Sequence, residues 1–397
     1  MKPSKALPSG WRLARLGDVA EIILSNVDKK SNEDELPIRL CNYTDVYYND
    51  YIDRNLPFMK GTATQLEIKR FSLKRGDVLI TKDSETADDI AVPALVKEDL
   101  ENVLCGYHLA ILRPRNGELS GAYLNHLFGF HAVRHYLFTL ANGVTRYGLT
   151  LDSIHGAVMP VPPIREQERL ATILTTWNSA ISQLAKLIEA KRKLKKGLMQ
   201  QLLSDNQYTG SKNQWHKYRL GQVFYERKEI NHADLPLLSV TGEQGLIPHS
   251  ENGRKDSSAE DKSKYKRIVP GDIGYNTMRM WQGVSALSNL EGIISPAYTV
   301  CIPKENIYAP FARHLFKFPS MVHRFYRYSQ GLVGDTLNLK FPSFAQVKVA
   351  LPPIASQKKI AAVLDAIDIE IELLNKMVDK FKEQKLDLTQ KALPMSR

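Results

Sequence analysis

The chain is poor in cysteine and has no long apolar run. Of its 397 residues only three are cysteines, Cys41, Cys105 and Cys301, and they are far apart with no CxxC pairing. This spacing argues against a disulfide framework and against a zinc site, and we expect three buried free thiols and no metal. No apolar stretch approaches the roughly 18 residues that cross a bilayer. The start, Met1-Lys2-Pro3-Ser4-Lys5, lacks the apolar stretch of a secretory signal, so we expect a cytoplasmic protein with no membrane partner.

Sequence motifs for catalysis are also missing. There is no GxxxxGK[ST] loop, which argues against ATP-driven work. A DNA adenine methyltransferase needs a glycine loop for its cofactor and an Asn/Asp-Pro-Pro-aromatic motif for the flipped base. The two double prolines follow Val161 and Leu351 and precede isoleucine, which is typical of entries into helices. We expect no catalytic residue and no cofactor.

Acidic residues near Lys82 have the composition of a nuclease site but not its pattern. Asp77, Asp83 and Glu85 are spaced generically. A solvated loop explains them better than a metal-dependent nuclease.

The chain is rich in basic residues and in apolar residues. Lysine and arginine number 54 against 43 acidic residues, for a formal net charge of +11. Such a field attracts polyanions, usually nucleic acid or anionic membrane surfaces, and charge alone does not choose between them. With 43% apolar residues, the chain can bury sizeable cores in two or three domains.

The most informative feature is an internal repeat. Four segments recur in the same order, at offsets of 204 (215 − 11), 195 (270 − 75), 188 (314 − 126) and 190 (352 − 162). A drifting offset indicates one duplicated frame with interior loops of different length, which suits a protein that recognises two different things. The paired segments are 11–19 with 215–223, 75–78 with 270–273, 126–128 with 314–316, and 162–164 with 352–354.

Each repeat ends in a long amphipathic segment. Residues 165–203 carry apolar side chains at helical spacing, with Leu170, Trp177, Leu184, Lys191 and Leu198 at one heptad position. Such a helix, about 58 Å long at about 1.5 Å per residue, needs a partner along its length. We expect an antiparallel coiled coil, with a polar return linker at 204–214. Lys191 either sets the register or snorkels. The second helix has Ile360, Ile367, Leu374, Phe381 and Leu388 at the matching position, flanked by Val363, Leu364, Ile371, Met377 and Val378.

Each half before its long helix is predicted to be an α+β globule. Short strands are expected at 76–81, 109–112, 298–302 and 347–351, and helices at 123–140 and 311–328. We place domain boundaries at 1–163, 164–204, 205–353 and 354–397.

Several motifs occur twice and together are specific. They are the Trp-x-x-x-Arg-Leu-Gly opening, the Gly-Asp-Val and Gly-Asp-Ile turns, the Asn142-Gly143 and Gln330-Gly331 loops, and the Pro-Pro-Ile-x-x-Gln helix entry. Across nearly its whole length the chain resembles the specificity subunit of type I restriction-modification enzymes. The resemblance implies two tandem mixed α/β target recognition domains, each reading one half of a split, asymmetric double-stranded DNA site. It also implies two long helices that pair with pseudo-twofold symmetry, set the spacing and dock two methyltransferase subunits, with restriction subunits attached to that core.

Base recognition requires polar side chains on loops, whereas phosphate binding requires mainly cations and hydroxyls. We favour Arg146 and Arg279, because the bidentate arginine–guanine contact is the commonest specific one. Each loop has a structural alternative: Asn-Gly is an ordinary turn, an aromatic beside a strand is more often core, and the basic run near residue 260 could be a solvated edge. The candidates are Lys82, Ser84, Thr145, Arg146 and Tyr147 in the first half, and Asn276, Thr277, Arg279, Lys255 and Lys264 in the second.

Two other functions remain open from sequence alone. A methyltransferase or nuclease fusion would bind S-adenosylmethionine or perform its own chemistry. A DNA-independent protein scaffold would show no steep salt dependence of duplex binding.

Overall fold

The computed structural model describes residues 7–86, 89–143, 145–204, 215–242, 245–252, 261–331 and 336–392. They form two compact units: Met1–Gln183 with Val378–Arg397, and Leu184–Met377. Two long helices, α7 (Ile164–Leu203) and α12 (Ile354–Ala392), each contribute residues to both units.

The first unit contains short strands and helices that precede α7. They are β1 Arg12–Arg15, α1 Leu16–Val19, β2 Ala20–Leu24, β3 Leu36–Cys41, α2 Tyr43–Tyr47, β4 Tyr51–Ile52, β5 Met59–Ala63, α3 Gln65–Phe71, β6 Val78–Thr81, β7 Asp83–Ser84, β8 Pro93–Val96, β9 Val103–Cys105, β10 Leu109–Pro114, α4 Gly121–Phe128, α5 His131–Thr139, β11 Tyr147–Gly148, α6 Leu151–Gly156 and β12 Val158–Val161.

The second unit repeats this plan before α12. Its elements are β13 His216–Arg219, α8 Leu220–Val223, β14 Phe224–Arg227, β15 Leu238–Val240, β16 Leu246–Pro248, β17 Lys266–Ile268, β18 Ile273–Asn276, β19 Ser285–Leu287, β20 Gly292–Ile294, β21 Tyr298–Pro303, α9 Ala309–Leu315, α10 Pro319–Tyr328, α11 Phe341–Gln346 and β22 Lys348–Leu351.

The main sheets of the two units share the order of four strands, and the first unit adds a fifth strand, β4. The largest sheet has the order β2-β10-β6-β8-β4 in the first unit and β14-β21-β18-β19 in the second. In both, the opening strand pairs antiparallel with the strand just before the long helix, β1 with β12 and β13 with β22. The four strands expected from sequence appear as β6, β10, β21 and β22, and the duplicated frame is confirmed.

A glycine–aspartate turn introduces the central strand of each sheet. Gly76 has φ +90° and Gly271 has φ +95°, a conformation that glycine adopts at least cost. The aspartate that follows is buried and paired with an arginine: Asp77 Oδ2 lies 2.8 Å from Arg113, and Asp272 Oδ2 lies 2.7 Å from Arg227 Nε. The ion pair explains why an acidic residue can be buried at this turn.

Two helices predicted as continuous are each broken in two. The 123–140 segment forms α4 and α5, which are separated at Gly129 and Phe130, and the 311–328 segment forms α9 and α10. The single-helix prediction was wrong. Proline has no N–H to donate inside a helix, so Pro319 ends the helical run and begins α10.

The long helices pair antiparallel within each unit. In the second unit Lys191 Nζ lies 2.7 Å from Glu370 and Lys195 Nζ lies 2.5 Å from Asp368, so residue numbers rise on one helix as they fall on the other. In the first unit the Trp177 and Phe381 rings meet edge to face at 5.1 Å. Lys191 therefore forms an ion pair across the helices.

The apolar stripe is narrower than the sequence suggested. Ile188, Leu364 and Val378 are buried, as expected for a packed seam. Four other apolar residues counted toward it are instead exposed, because they lie outside the arc that faces the partner helix: Leu187, Leu194, Val363 and Met377. The three cysteines are buried free thiols, as expected.

Candidate nucleic-acid interface

In each unit backbone hydrogen bonds join three loop segments that are distant in sequence. In the first unit Leu149 N donates to Lys82 O at 2.8 Å, and Lys82 N donates to His108 O at 3.0 Å. In the second unit Leu339 N donates to Thr277 O at 2.8 Å, and Thr277 N donates to Ala297 O at 3.3 Å. The candidate loops identified from sequence therefore meet at equivalent places of the two frames.

A tight glycine turn shapes the loop that carries Arg146. Asn142 and Gly148 form an antiparallel bridge, and Gly143 between them has φ +119°. A Cβ on Gly143 would lie 1.9 Å from the Arg146 carbonyl oxygen, so only glycine fits. The loop holds Thr145 and Arg146 exposed to solvent. Gly331 of the second unit repeats this conformation with φ +140°.

Lys82 is held by its neighbours beside this loop. Its Nζ lies 3.0 Å from Asp83 Oδ2 and 4.8 Å from the centre of the Tyr107 ring. His108 Nδ1 lies 3.0 Å from the same carboxylate oxygen. Half of the Tyr107 surface is exposed, so this cluster combines a cation with an aromatic face that could meet a nucleic acid.

Ser84 and Tyr147 are paired across a short ladder. They are register partners between β7 and β11. Ser84 is buried and its Oγ accepts a hydrogen bond from Thr86 N at 3.2 Å, whereas Tyr147 is half-buried and packs on Phe138 at 5.0 Å. Both side chains are engaged within the fold, so they are better suited to fixing the loop than to contacting bases.

In the second unit the candidate side chains divide in the same way. Asn276 Oδ1 accepts a hydrogen bond from Met278 N at 2.9 Å, and the buried Thr277 hydroxyl donates to Ala297 O at 2.7 Å. Arg279 is exposed and forms no ion pair with any described residue. Lys264 is exposed as well, and Lys255 lies outside the described residues.

Exposed aromatic residues occur in both units: the tyrosines at 43–48 were not among the sequence candidates, whereas Trp281 lies in the candidate loop that carries Arg279. In the first unit Tyr43 stacks on Tyr47 at 5.6 Å, and Tyr48 next to them is 76% exposed. The Tyr47 hydroxyl donates to Asp89 Oδ1 at 2.8 Å, which raises the pKa of Tyr47. The density of tyrosine at 43–51 was the available signal. The second unit places Trp281 6.4 Å from Tyr326, which is 51% exposed.

Of the three acidic residues considered for a nuclease, two form ion pairs within the fold, and the third, Glu85, is exposed. Asp77 pairs with Arg113, and Asp83 pairs with Lys82 and His108. Within the described part of the chain, no three His, Cys, Asp or Glu side chains are grouped to hold a metal ion. No helix among those residues has the length and apolarity to cross a membrane.

Comparison with known proteins identifies the family. The model of the type I restriction modification DNA specificity domain matches twice, at residues 8–192 and 212–382. Two proteins of Methanocaldococcus jannaschii are similar: one assigned as the MjaX type I restriction enzyme specificity subunit, 22% identical over 96% of this chain and 92% of its own length, and the MjaVIII specificity subunit, 21% identical over 96% and 91%.

A solved structure shares the fold over the full length of both chains. It is the S subunit of a type I restriction-modification system from M. genitalium, with a TM-score of 0.63 and 15% identity. The double match of the family model covers most of this sequence. The chain belongs to the type I restriction-modification DNA specificity family, whose members are non-catalytic recognition subunits.

Proposed function

We propose that the two units read the two halves of a bipartite, asymmetric DNA site, within a complex that contains two methyltransferase subunits and restriction subunits. The observation that carries this proposal is the shared loop frame: equivalent backbone hydrogen bonds support different side chains in the two units. A common frame with unlike loops would recognise unlike sequences. The recognition domains are assigned to 1–163 and 205–353, and the spacers to 164–204 and 354–397.

Arg146 and Arg279 are the proposed base readers. Arg146 is exposed beside the turn at Gly143, and Arg279 is exposed beside a short helical turn. Their guanidinium groups are therefore accessible to a base. A guanidinium can donate two hydrogen bonds to the N7 and O6 atoms of guanine. Thr145 and Asn276 lie beside them as further polar contacts.

The remaining candidates have supporting roles in this proposal. Lys82 and Lys264 would contact phosphates, and so would Lys255. Ser84, Tyr147 and Thr277 would hold the loops in place, since their side chains pack or hydrogen-bond within the unit.

An exposed apolar stripe supports the assignment of partner subunits. Ile369, Leu373 and Met377 recur every four residues on α12 and are 58%, 56% and 44% exposed. At this spacing they lie along one side of the helix. Large exposed apolar stripes mark protein interfaces, and the methyltransferase subunits are the occupants we propose.

Methylome sequencing tests the proposal directly. A host that expresses this chain with its methyltransferase subunits should carry modified adenines in a two-part motif separated by unspecified bases. Arg146→Ala should relax one part of the motif and leave the other intact, and Arg279→Ala should do the reverse. A continuous motif, or relaxation of both parts by either variant, would refute the assignment of one reader to each unit.

A further inference from the structure

Five cations line one open cleft of the second unit. The cleft has a volume of about 880 Å³ and lies among β13, α10 and β22. Lys217 and Arg219 come from β13, Arg324 and Arg327 from α10, and Lys348 from β22. Among the described residues that line it, none is an aspartate or a glutamate. The cleft therefore has a strongly positive field, which the sequence argument did not identify because its residues are 131 positions apart (348 − 217).

The fold does not neutralise these charges. None of the five cations forms an ion pair with a described residue. Their contacts are with uncharged groups: Arg324 donates to the Lys348 carbonyl oxygen at 2.8 Å, and Arg219 donates to the Gln346 side chain. Like charges brought together without counter-ions repel each other, so an anionic ligand would relieve a cost that the free protein bears.

The first unit provides an internal comparison. By the repeat offsets, the counterparts of the five cations are Leu13, Arg15, Tyr136, Thr139 and Val158, and Asp18 replaces Gln222. The charge of the matching positions is thus five positive in the second unit and zero in the first, where Arg15 and Asp18 cancel.

The frame does not need the cations for folding. In the first unit the Tyr136 hydroxyl contacts Val158 N at 3.3 Å, which links the same helix to the same strand as the Arg324 contact with Lys348. Since an uncharged residue can make this link, folding alone does not account for the arginine and lysine residues of the cleft. They are better explained by a ligand of the second unit.

Helix α10 connects the cleft to the candidate reading loop. Trp281 follows Arg279 in that loop and meets Tyr326 on α10 at 6.4 Å. Arg324 and Arg327 of the cleft lie on the same helix, within three residues of Tyr326. Since these arginines lie about 200° and 100° around the helix axis from Tyr326, DNA that contacts the loop at Arg279 and passes around α10 would bring its phosphates to the cleft.

We propose that this cleft binds the phosphate backbone of DNA next to the half-site read by the second unit, and that the first unit has no such anchor. The inference rests on the proposed DNA-reading function. The two half-sites would then be bound by different kinds of contact. The second would be held mainly by phosphate contacts that do not depend on base sequence, whereas the first would depend more on its base contacts.

The test removes three cleft charges together, as Lys217→Gln, Arg327→Gln and Lys348→Gln. Arg324 is left in place because it links α10 to β22. Binding of the assembled methyltransferase complex to duplexes with and without the recognised site is measured over a range of NaCl concentrations. Each phosphate contact contributes about 0.9 to the slope of log K against log salt, so the slope should fall by about 2 to 3. Affinity should fall by the same factor for both duplexes.

A matched control removes equal charge elsewhere, as Lys60→Gln, Lys69→Gln and Lys74→Gln, three exposed lysines of the first unit. Its salt slope should stay at the parent value. An equal fall in both variants would overturn the proposal, because net charge alone would explain it. If the cleft variant is poorly folded, Lys217→Leu, Arg327→Thr and Lys348→Val install the first unit's own residues and repeat the test.

Two further results would count against the cleft. An unchanged slope would overturn the proposal, and an unchanged slope with loss of the methyltransferase subunits would assign the cleft to an acidic protein surface. Failure of the proposed function looks different: the parent complex would then show no preference for any duplex sequence, whatever its salt slope.

Discussion

At the residue scale, the glutamine of the Pro-Pro-Ile-x-x-Gln motif fastens each long helix to its globule. Gln167 is fully buried; its Nε2 donates to Pro162 O at 2.8 Å and Glu118 O at 3.0 Å, and its Oε1 accepts from Ser120 N at 2.8 Å. Gln357 makes the corresponding three bonds in the second unit, to Pro352 O, Asn306 O and Tyr308 N. In both units, therefore, one side-chain amide forms hydrogen bonds with backbone groups at the start of the long helix and in a neighbouring loop.

Gln167→Ala is expected to destabilise the first unit. It leaves one buried N–H and two carbonyl oxygens without their partner, at a cost of about 2 to 4 kcal/mol. Urea unfolding monitored by circular dichroism measures the change. Gln167→Glu is the matched control: it can still accept from Ser120 N but places a second oxygen against two carbonyls, so it should also destabilise. A stable Glu variant would contradict the assigned donor and acceptor roles.

A buried histidine should make stability depend on pH. Burial lowers the pKa of His126 to about 4, and the charge of Lys385 adds to this effect. The ordinary pKa of histidine is about 6.5. Above that pH the His126 side chain is neutral in both the folded and the unfolded chain, so its titration does not affect stability. As the pH falls from about 6.5 to 4 the unfolded chain takes up the proton first, and up to about 3 kcal/mol of stability is lost.

His126→Gln should flatten that pH dependence. Glutamine can keep a hydrogen bond to Thr175, whose Oγ1 lies 2.8 Å from His126 Nε2, but it does not titrate. The difference in unfolding free energy between pH 7 and pH 5 should therefore shrink in the variant. An equal pH dependence in both proteins would show that other groups cause it.

The Arg279 side chain is expected to recognise one base pair. Arg279→Ala should cost about 1 to 3 kcal/mol of discrimination at one base pair, if the contact is bidentate. Arg279→Lys keeps the charge but lacks the paired N–H donors of the guanidinium, so it should lose most of the same discrimination. Competition binding with duplexes changed one base pair at a time measures this. A uniform loss on all duplexes would instead identify a phosphate contact.

At the scale of elements, the long helices divide their apolar residues between packing and exposure. Ile188 and Leu374 are buried where the helices meet, whereas Leu373 next to Leu374 is 56% exposed. Neighbouring residues on a helix point about 100° apart, so one helix can serve a seam and a second surface.

Leu373→Asp should weaken binding of the methyltransferase subunits without unfolding the chain. The exposed side chain contributes little to the fold, but a carboxylate in an apolar interface is costly to bury. Co-purification and thermal unfolding measure the two effects. Leu66→Asp, at an 80% exposed leucine of α3, is the control and should leave both unchanged. Leu184→Asp, in the partly buried seam, should reduce stability as well as assembly.

Sequence periodicity predicted the elements unevenly. The two long helices and strands β6, β10, β21 and β22 were predicted, because their apolar spacing and flanking turns are strong local signals. The division of the 123–140 segment into α4 and α5 was missed, since apolar residues continue across Gly129 and Phe130. Only packing against the core decides that the chain turns there.

At the scale of the whole molecule, the helices are proposed to set the distance between the two half-sites. Inserting seven residues into α7 after Gln183 and seven into α12 after Met377 preserves the heptad phase and adds about 10 Å to each helix. The preferred spacer should lengthen by about three base pairs, at about 3.4 Å each. Methylome mapping of the altered motif measures this.

The control for that experiment uses the predicted linker. The same seven residues placed between Ser204 and Trp215 should leave the spacer unchanged, because this polar segment was predicted to connect the halves and not to space them. A spacer that ignores the helix insertions, or follows the linker insertion, would remove the ruler hypothesis.

The duplication, the two long helices and the family can be read from the linear chain, because repeats, periodicity and ordered motifs are properties of the residue order. The sequence also placed Arg146 and Arg279 on loops. Folding brings Lys82, His108 and Leu149 together through backbone hydrogen bonds, and it gathers five cations from three separate elements into one cleft. Such groupings depend on how strands and helices pack, and residues that are distant in sequence carry no local mark of the neighbours they will have.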